Sequence, residues 1–204
     1  VPLNPPATRT VKEMTEVLKD PDALDVYQTS RADTQVQYRM YRDVHRPENQ
    51  DQLTKQRLRY DVTVLAPSDT SHRLGSEPVK TYGHYHPHRD PVRYPEVYEV
   101  LHGEAWFLLQ KPNPDNPAVI EDVLLVKARA GEKAIMLPGY GHVTINPSLT
   151  EPLAMANWVS SEFGSDYAPY QRFRGAAYYL TLSETGRIQF EANPAYVSVP
   201  PIEK

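Results

Sequence analysis

From about residue 35 onwards, apolar and polar residues alternate along the chain with a period of two. In VQYRMYRDV (36–44) the alternation is regular. In RLRYDVTVLAP (57–67) it places Leu58, Tyr60, Val62 and Val64 on one face and Thr63 and Leu65 on the other. Successive side chains on a strand point to opposite faces, so both segments read as strands with distinct faces. Further strand-like runs fall at 96–110, 119–128, 133–138, 142–147, 153–159, 176–182 and 187–192. Turn-forming stretches separate them: HG (102–103), KPNPDNP (111–117) and SETG (183–186). The pattern differs only near the start. TRTVKEMTEVLKD (8–20) spaces Val11, Met14, Val17 and Leu18 at helical intervals and stops at Pro21, which predicts a short amphipathic helix. The preceding VPLNPPA is too rich in proline for a helix or an inner strand, and reads as an arm along a surface. Many short strands with little helix predict an all-β sandwich or barrel. The expected organisation is one structural domain, with an arm and helix over 1–34 and a β-barrel over 35–204.

Composition narrows the possibilities. The chain has 204 residues, enough for one domain with a real core, and a formal charge of −4 with no basic cluster, which argues against a nucleic-acid partner. It contains no cysteine, which excludes disulfides, thiolate nucleophiles and Cys-type zinc sites. No apolar run reaches the ~20 residues of a membrane span, and no signal pattern opens the sequence; a soluble, cytoplasmic protein is expected.

Candidate chemistry is concentrated in YGHYHPHRDPVRYPEVYEVLHG (82–103), which holds four of the seven histidines. His84 and His86 are two apart, so on an extended strand both imidazoles face one point. A hairpin brings Glu96 beside them, with Tyr98 on the same face as Glu96, and His142 is placed to add a third imidazole from across a barrel. Three neutral nitrogens and one carboxylate form an open site for a divalent first-row metal: iron(II), manganese, nickel or zinc. His88, within the intervening loop, reads as a surface residue, and His45, His72 and His102 as structural or exposed. Arg89 and Arg93 read as solvated loop charge.

Two longer patterns coincide with this set. One is His84-x-His86, Glu96 and Gly103; the other is Gly131, Pro138, His142 and Asn146 in GEKAIMLPGYGHVTIN. They resemble the two signature motifs of the cupin superfamily, whose fold is a double-stranded β-helix or jelly-roll barrel. A narrower likeness is to the cupin-type glucose-6-phosphate (phosphoglucose) isomerases. It rests on Thr81, Gly83, His84, His86, Glu96-Val97-Tyr98, Leu101, Gly103, Leu108-Leu109-Gln110 and PGYGHVTIN (138–146), together with TVLAP (63–67), DYAPY (166–170) and ANPAY (192–196). The resemblance implies His84, His86, Glu96 and His142 as metal ligands, with iron(II) favoured, and Glu96 as a catalytic base as well as a ligand. It implies Tyr98 as a second catalytic residue, although a core aromatic explains that position nearly as well. Thr63, Thr81, Gly83 and Tyr167 are implied as phosphate contacts; strand propensity alone accounts equally for the two threonines.

The implied reaction interconverts glucose 6-phosphate and fructose 6-phosphate, a step of glycolysis and gluconeogenesis, by a cis-enediol route or a hydride shift. The implied partners are a small sugar phosphate and a second copy in a homodimer. Three departures bear on the substrate: a nine-residue interval between His86 and Glu96, Trp158 where the family often has a tyrosine near the substrate, and Ser165 where a histidine commonly precedes Asp-Tyr. They keep open another metallocupin enzyme (a different sugar isomerase, an epimerase or an iron oxygenase) and a non-catalytic binding module.

Overall fold

A computed structural model describes residues 5–24, 33–89, 92–162, 164–183 and 187–203. It shows the expected all-β architecture, built from antiparallel sheets. The larger sheet has the order β1-β2-β3-β11-β6-β9: β1 is Ala7–Thr10, β2 Val36–Tyr41, β3 Leu58–Leu65, β6 Glu96–His102, β9 Lys133–Met136 and β11 Leu153–Ser160. The smaller has the order β10-β7-β8, with β7 Glu104–Pro112, β8 Ile120–Arg129 and β10 Gly141–Ile145. Two ribbons complete the set, β4 (His88–Arg89) with β5 (Val92–Arg93), and β12 (Tyr178–Leu182) with β13 (Ile188–Ala192).

The period-two pattern sets which residues face the interior. On β3, Asp61, Thr63 and Leu65 are buried, while Leu58, Tyr60, Val62 and Val64 look outward and are covered only in part. The more apolar face of β3 is therefore its outer one, and charged and polar side chains occupy the inner one. Between the sheets lie Leu65, Tyr98, Val100, Phe107, Leu109 and Met155, each at most 6% exposed. In the smaller sheet β10 and Phe107–Gln110 of β7 are buried on both faces, while β8 turns Glu121, Lys127 and Arg129 to solvent, and the C-terminal segment packs against this sheet. Gln110 on β7 accepts from the Ala177 N–H at 2.6 Å and donates to the hydroxyls of Tyr85 and Tyr196, and Trp106 stacks on Phe190. Gly103 turns β6 into β7 at φ +82°, a conformation that costs glycine nothing.

The helix expected over 8–20 is a strand followed by a 3-10 turn, Lys12–Val17. β1 pairs with β2, so the backbone donors that a helix would satisfy internally are taken by the sheet. Val11, Met14, Val17 and Leu18 are nonetheless all buried. The turn is held from the side: Lys80 Nζ donates to the Val17 carbonyl at 2.9 Å, and Glu77 pairs with Lys80 and accepts the Lys19 N–H at 2.8 Å. Residues 1–4 of the predicted arm lie outside the described residues. Among the described residues, two short α-helices have no counterpart in the apolar pattern: α1 (Gln50–Gln56) and α2 (Ala168–Arg172). α1 is a polar surface turn with no buried residue, so no apolar stripe marks it.

Phe107 is wholly buried against Tyr98, at 5.3 Å between ring centroids. Phe107→Ala is expected to lower unfolding free energy by about 3–5 kcal/mol. In urea this reads as a lower midpoint with an unchanged slope.

Candidate metal centre and active site

His84 and His86 leave the 82–86 segment on one side, as expected for extended chain, with ring centroids 5.4 Å apart. The segment does not pair with the strand that carries Glu96. It pairs with β10: the His84 N–H donates to the His142 carbonyl at 3.1 Å, and the His142 N–H returns a bond to the His84 carbonyl at 3.0 Å. The two imidazoles are thereby fixed 4.5 Å apart between centroids. Tyr85, between the histidines, points the other way onto Gly141, where a Cβ would meet its ring at 2.5 Å. Glu96 opens β6 after the β4–β5 ribbon and arrives from the larger sheet. The expected ribbon is therefore present, but the histidine pair belongs to the opposite wall.

The four ligand candidates converge, with His84, His86, Glu96 and His142 offering one atom each within 4.8 Å of one another. Glu96 is 3% exposed, and its Oε2 lies 3.3 Å from His86 Nε2 and 3.2 Å from His142 Nε2. Its Oε1 accepts from Asn157 Nδ2 at 2.6 Å. His86 Nδ1 lies 2.7 Å from the Tyr94 carbonyl, which fixes the ring and turns Nε2 towards the carboxylate. Glu96 Oε2 and both nitrogens of His142 are buried without a hydrogen bond. Buried polar atoms normally have partners; Glu96 Oε2 and His142 Nε2, 3.2 Å apart, are two that one cation between them would satisfy.

The charge states agree. Burial alone would raise the Glu96 pKa, but the adjacent His142 and His86 rings outweigh it and hold the group below the usual carboxylate range. Burial, reinforced by His142, lowers the His84 pKa well below its usual value and keeps the ring neutral. A carboxylate and a neutral imidazole are the forms that bind a metal. Burial also pushes the Tyr98 hydroxyl well above 10, with the Glu96 charge adding to it, so Tyr98 remains a phenol able to donate.

The cavity beside this cluster is lined by Tyr98 and by Thr63, Thr81, Gly83 and Tyr167, so every predicted site residue reaches it or the ligand set. Thr81 Oγ1 accepts the Thr144 N–H at 2.9 Å, which leaves its proton for another acceptor. Gly83 has φ +83°, and a Cβ there would meet the Tyr170 ring at 2.5 Å; no other residue fits. Tyr167 packs edge-on to Tyr82 and 5.8 Å from His84. Arg9, from β1, sits 5.4 and 5.5 Å from the ring centroids of Tyr82 and Tyr167. Ser165 also lines the cavity, but Trp158 does not. Asn157 faces inward, so its neighbour must face outward, where Trp158 is 41% exposed against Tyr60. The histidines outside the cluster have other companions: His45 lies by Asp43, His72 by Asp69 and His102 by Glu151. The side chains of His88, Arg89 and Arg93 fall outside the described residues.

Sequence reading missed Tyr38, Arg42, Arg59, Asp61 and Asn157. Tyr38, Arg42, Arg59 and Asn157 line the cavity, and Asp61 is buried against Arg42 and Arg59. A signal was present in β3, where Arg59 and Asp61 share the face of the core residue Leu65. Asn157 holds Glu96 through Oε1, the carboxylate oxygen that does not face the histidines. Asn157→Ala is expected to weaken zinc binding by about 10–100-fold. Competition with a chromophoric chelator measures this, and an unchanged affinity would remove Asn157 from the site's support.

A family model described as glucose-6-phosphate isomerase (GPI) matches residues 8–197. Comparison with curated proteins gives no significant match. Among solved structures, the chain is similar to vicilin from hazelnut, Corylus avellana (15% identity, TM-score 0.45, covering 63% of this chain and 31% of that one). It is also similar to an oxalate oxidase in complex with glycolate (19%, 0.39, 52% and 43%) and to oxalate decarboxylase from Bacillus subtilis (13%, 0.42, 63% and 27%). The chain spans less than half the length of each of these three. The family match covers nearly the whole chain, including the four converging ligands and the strands that carry them, and the chain belongs to the glucose-6-phosphate isomerase family.

Proposed function

We propose that the chain is a metal-dependent, cupin-type aldose–ketose isomerase that interconverts glucose 6-phosphate and fructose 6-phosphate. The observation that carries this reading is the buried set His84, His86, Glu96 and His142 opening onto a cavity, in a chain matched to the isomerase family over residues 8–197. We favour iron(II), with manganese, nickel and zinc also suited to a three-imidazole, one-carboxylate set. When bound, the ion supplies Lewis-acid polarisation of the substrate oxygens.

The chain's own groups divide the remaining work. Moving a hydrogen between C1 and C2 through an enediol needs a base that takes the C2 proton and returns it at C1. Glu96 is that base: it is ionised, it borders the cavity, and Asn157 fixes its orientation through Oε1. Tyr98, a phenol two residues along the same face that lines the cavity, is the donor to a sugar oxygen in this reading. Hydroxyls of Thr63, Thr81 and Tyr167 and the backbone at Gly83 form a neutral donor set for the phosphate. The outer face of the larger sheet exposes Leu58, Trp158, Ile135 and Leu137, which supports the homodimer as part of the same reading.

Chelation is expected to abolish turnover of fructose 6-phosphate, and iron(II) or manganese to restore it. Glu96→Gln, assayed alongside, is expected to lose ~10²-fold or more in kcat. Metal-loaded wild-type protein that leaves fructose 6-phosphate untouched would refute the isomerase. Light scattering at micromolar concentration is expected to give twice the chain mass, and a monomer mass would refute the dimer.

A further inference from the structure

We propose that Arg42 is a further catalytic residue, its guanidinium donating to the sugar oxygens on which negative charge develops, with Asp61 and Arg59 as the positioning residues that hold it. The proposal rests on the isomerase reading and assigns a residue outside the ligand and phosphate sets.

Three features of the cavity wall point to it. The first is register. Asn157 on β11 lies between Asp61 of β3 and Tyr98 of β6, and Asp61 bonds to Arg42 just past the end of β2. A polar row, Arg42–Asp61–Asn157–Tyr98, thus crosses the inner face of the larger sheet, and Asn157 bonds Glu96 beside it.

The second is how the row is bonded. Asp61 is fully buried, and its lone pairs are filled by Arg42 Nη1 at 2.6 Å, Arg59 Nε at 2.9 Å and the Asp43 N–H at 2.9 Å. Arg42 is only tethered: Nη1 is bound, Nη2 meets the Met40 sulfur at 3.1 Å, and the side chain is 41% exposed where it lines the cavity. A guanidinium has five N–H donors in a rigid fork, so donors remain for an oxyanion.

The third is charge. Two guanidiniums share one carboxylate, which leaves this part of the cavity wall positive. Removal of the C2 proton leaves its electron pair on C2 and the C1 oxygen; the O2 hydroxyl proton moves to O1, which shifts the charge to the C2 oxygen, and return of the proton to C1 leaves a carbonyl at C2, with no net oxidation. A preorganised cation where that charge appears stabilises the transition state more than the sugar. A site needing only to bind a neutral sugar end has no use for this surplus charge.

The test compares two ligands by equilibrium binding to the metal-loaded protein. One is a five-carbon aldonate phosphate, whose carboxylate carries charge where the enediolate does; the other is the uncharged-end alditol phosphate of the same length. Wild type is expected to prefer the aldonate, and Arg42→Met to shrink that preference by about tenfold or more. Arg42→Gln combined with Asp61→Asn removes both charges and is expected to give the same loss if the single variant does not fold. If both ligands weaken equally, Arg42 reads the phosphate or only supports the fold, and the proposal is overturned. An unchanged preference in either folded variant overturns it too. These constants do not require turnover, so an inactive wild type refutes the isomerase while the ligand ratio judges Arg42.

Discussion

The structure is organised around a carboxylate that has been taken out of water. Glu96 is 3% exposed, and an ionised group so deeply buried is stable only where opposite charge or donors surround it. One oxygen is satisfied by Asn157, and the other faces imidazoles from a different wall. That demand explains the paired backbone bonds between His84 and His142, which lock two ligand-bearing segments at fixed separation. It also explains the close packing just outside, where Tyr85 covers Gly141 and Tyr170 covers Gly83 with no room for a side chain. A site of this precision is built on strands because their pleat leaves each inward side chain little angular freedom.

The two sheets contribute differently. In the smaller, β10 is buried along its whole length, and it carries His142. The larger carries Glu96 and the polar row from Arg42 to Tyr98 on its inner face. An interior crossed by such a row has fewer apolar contacts there, so the site is carved from what would otherwise be core.

The strands and the convergence of the four ligand candidates were legible in the sequence because both rest on local rules. Alternation marks strands, and His-x-His marks two rings on one face. His142 was found because a glycine-rich turn precedes it. The rest needed three-dimensional facts. The segment over 8–20 has helical spacing, yet Gln35 and β2 offered its backbone better partners, and tertiary pairing overrode the local pattern. Helix α1 has no buried face, so nothing in its apolar pattern could mark it. Trp158 was placed near the substrate by likeness; phase along β11 decides otherwise, and phase is set by which neighbour must reach Glu96. The arginines on β3 and after β2 are ordinary surface residues in a list, and only strand register shows that they meet over Asp61.

That phase relation has a mechanical consequence. Asn157 and Trp158 are consecutive, one holding the carboxylate inside and the other lying on the outer face against Tyr60. In a pleated strand, a backbone rotation that tips one of two adjacent side chains tips the other in the opposite sense. The outer face of the sheet is therefore one peptide bond away from the orientation of Glu96. Pressure on the indole is a lever on the Glu96 carboxylate.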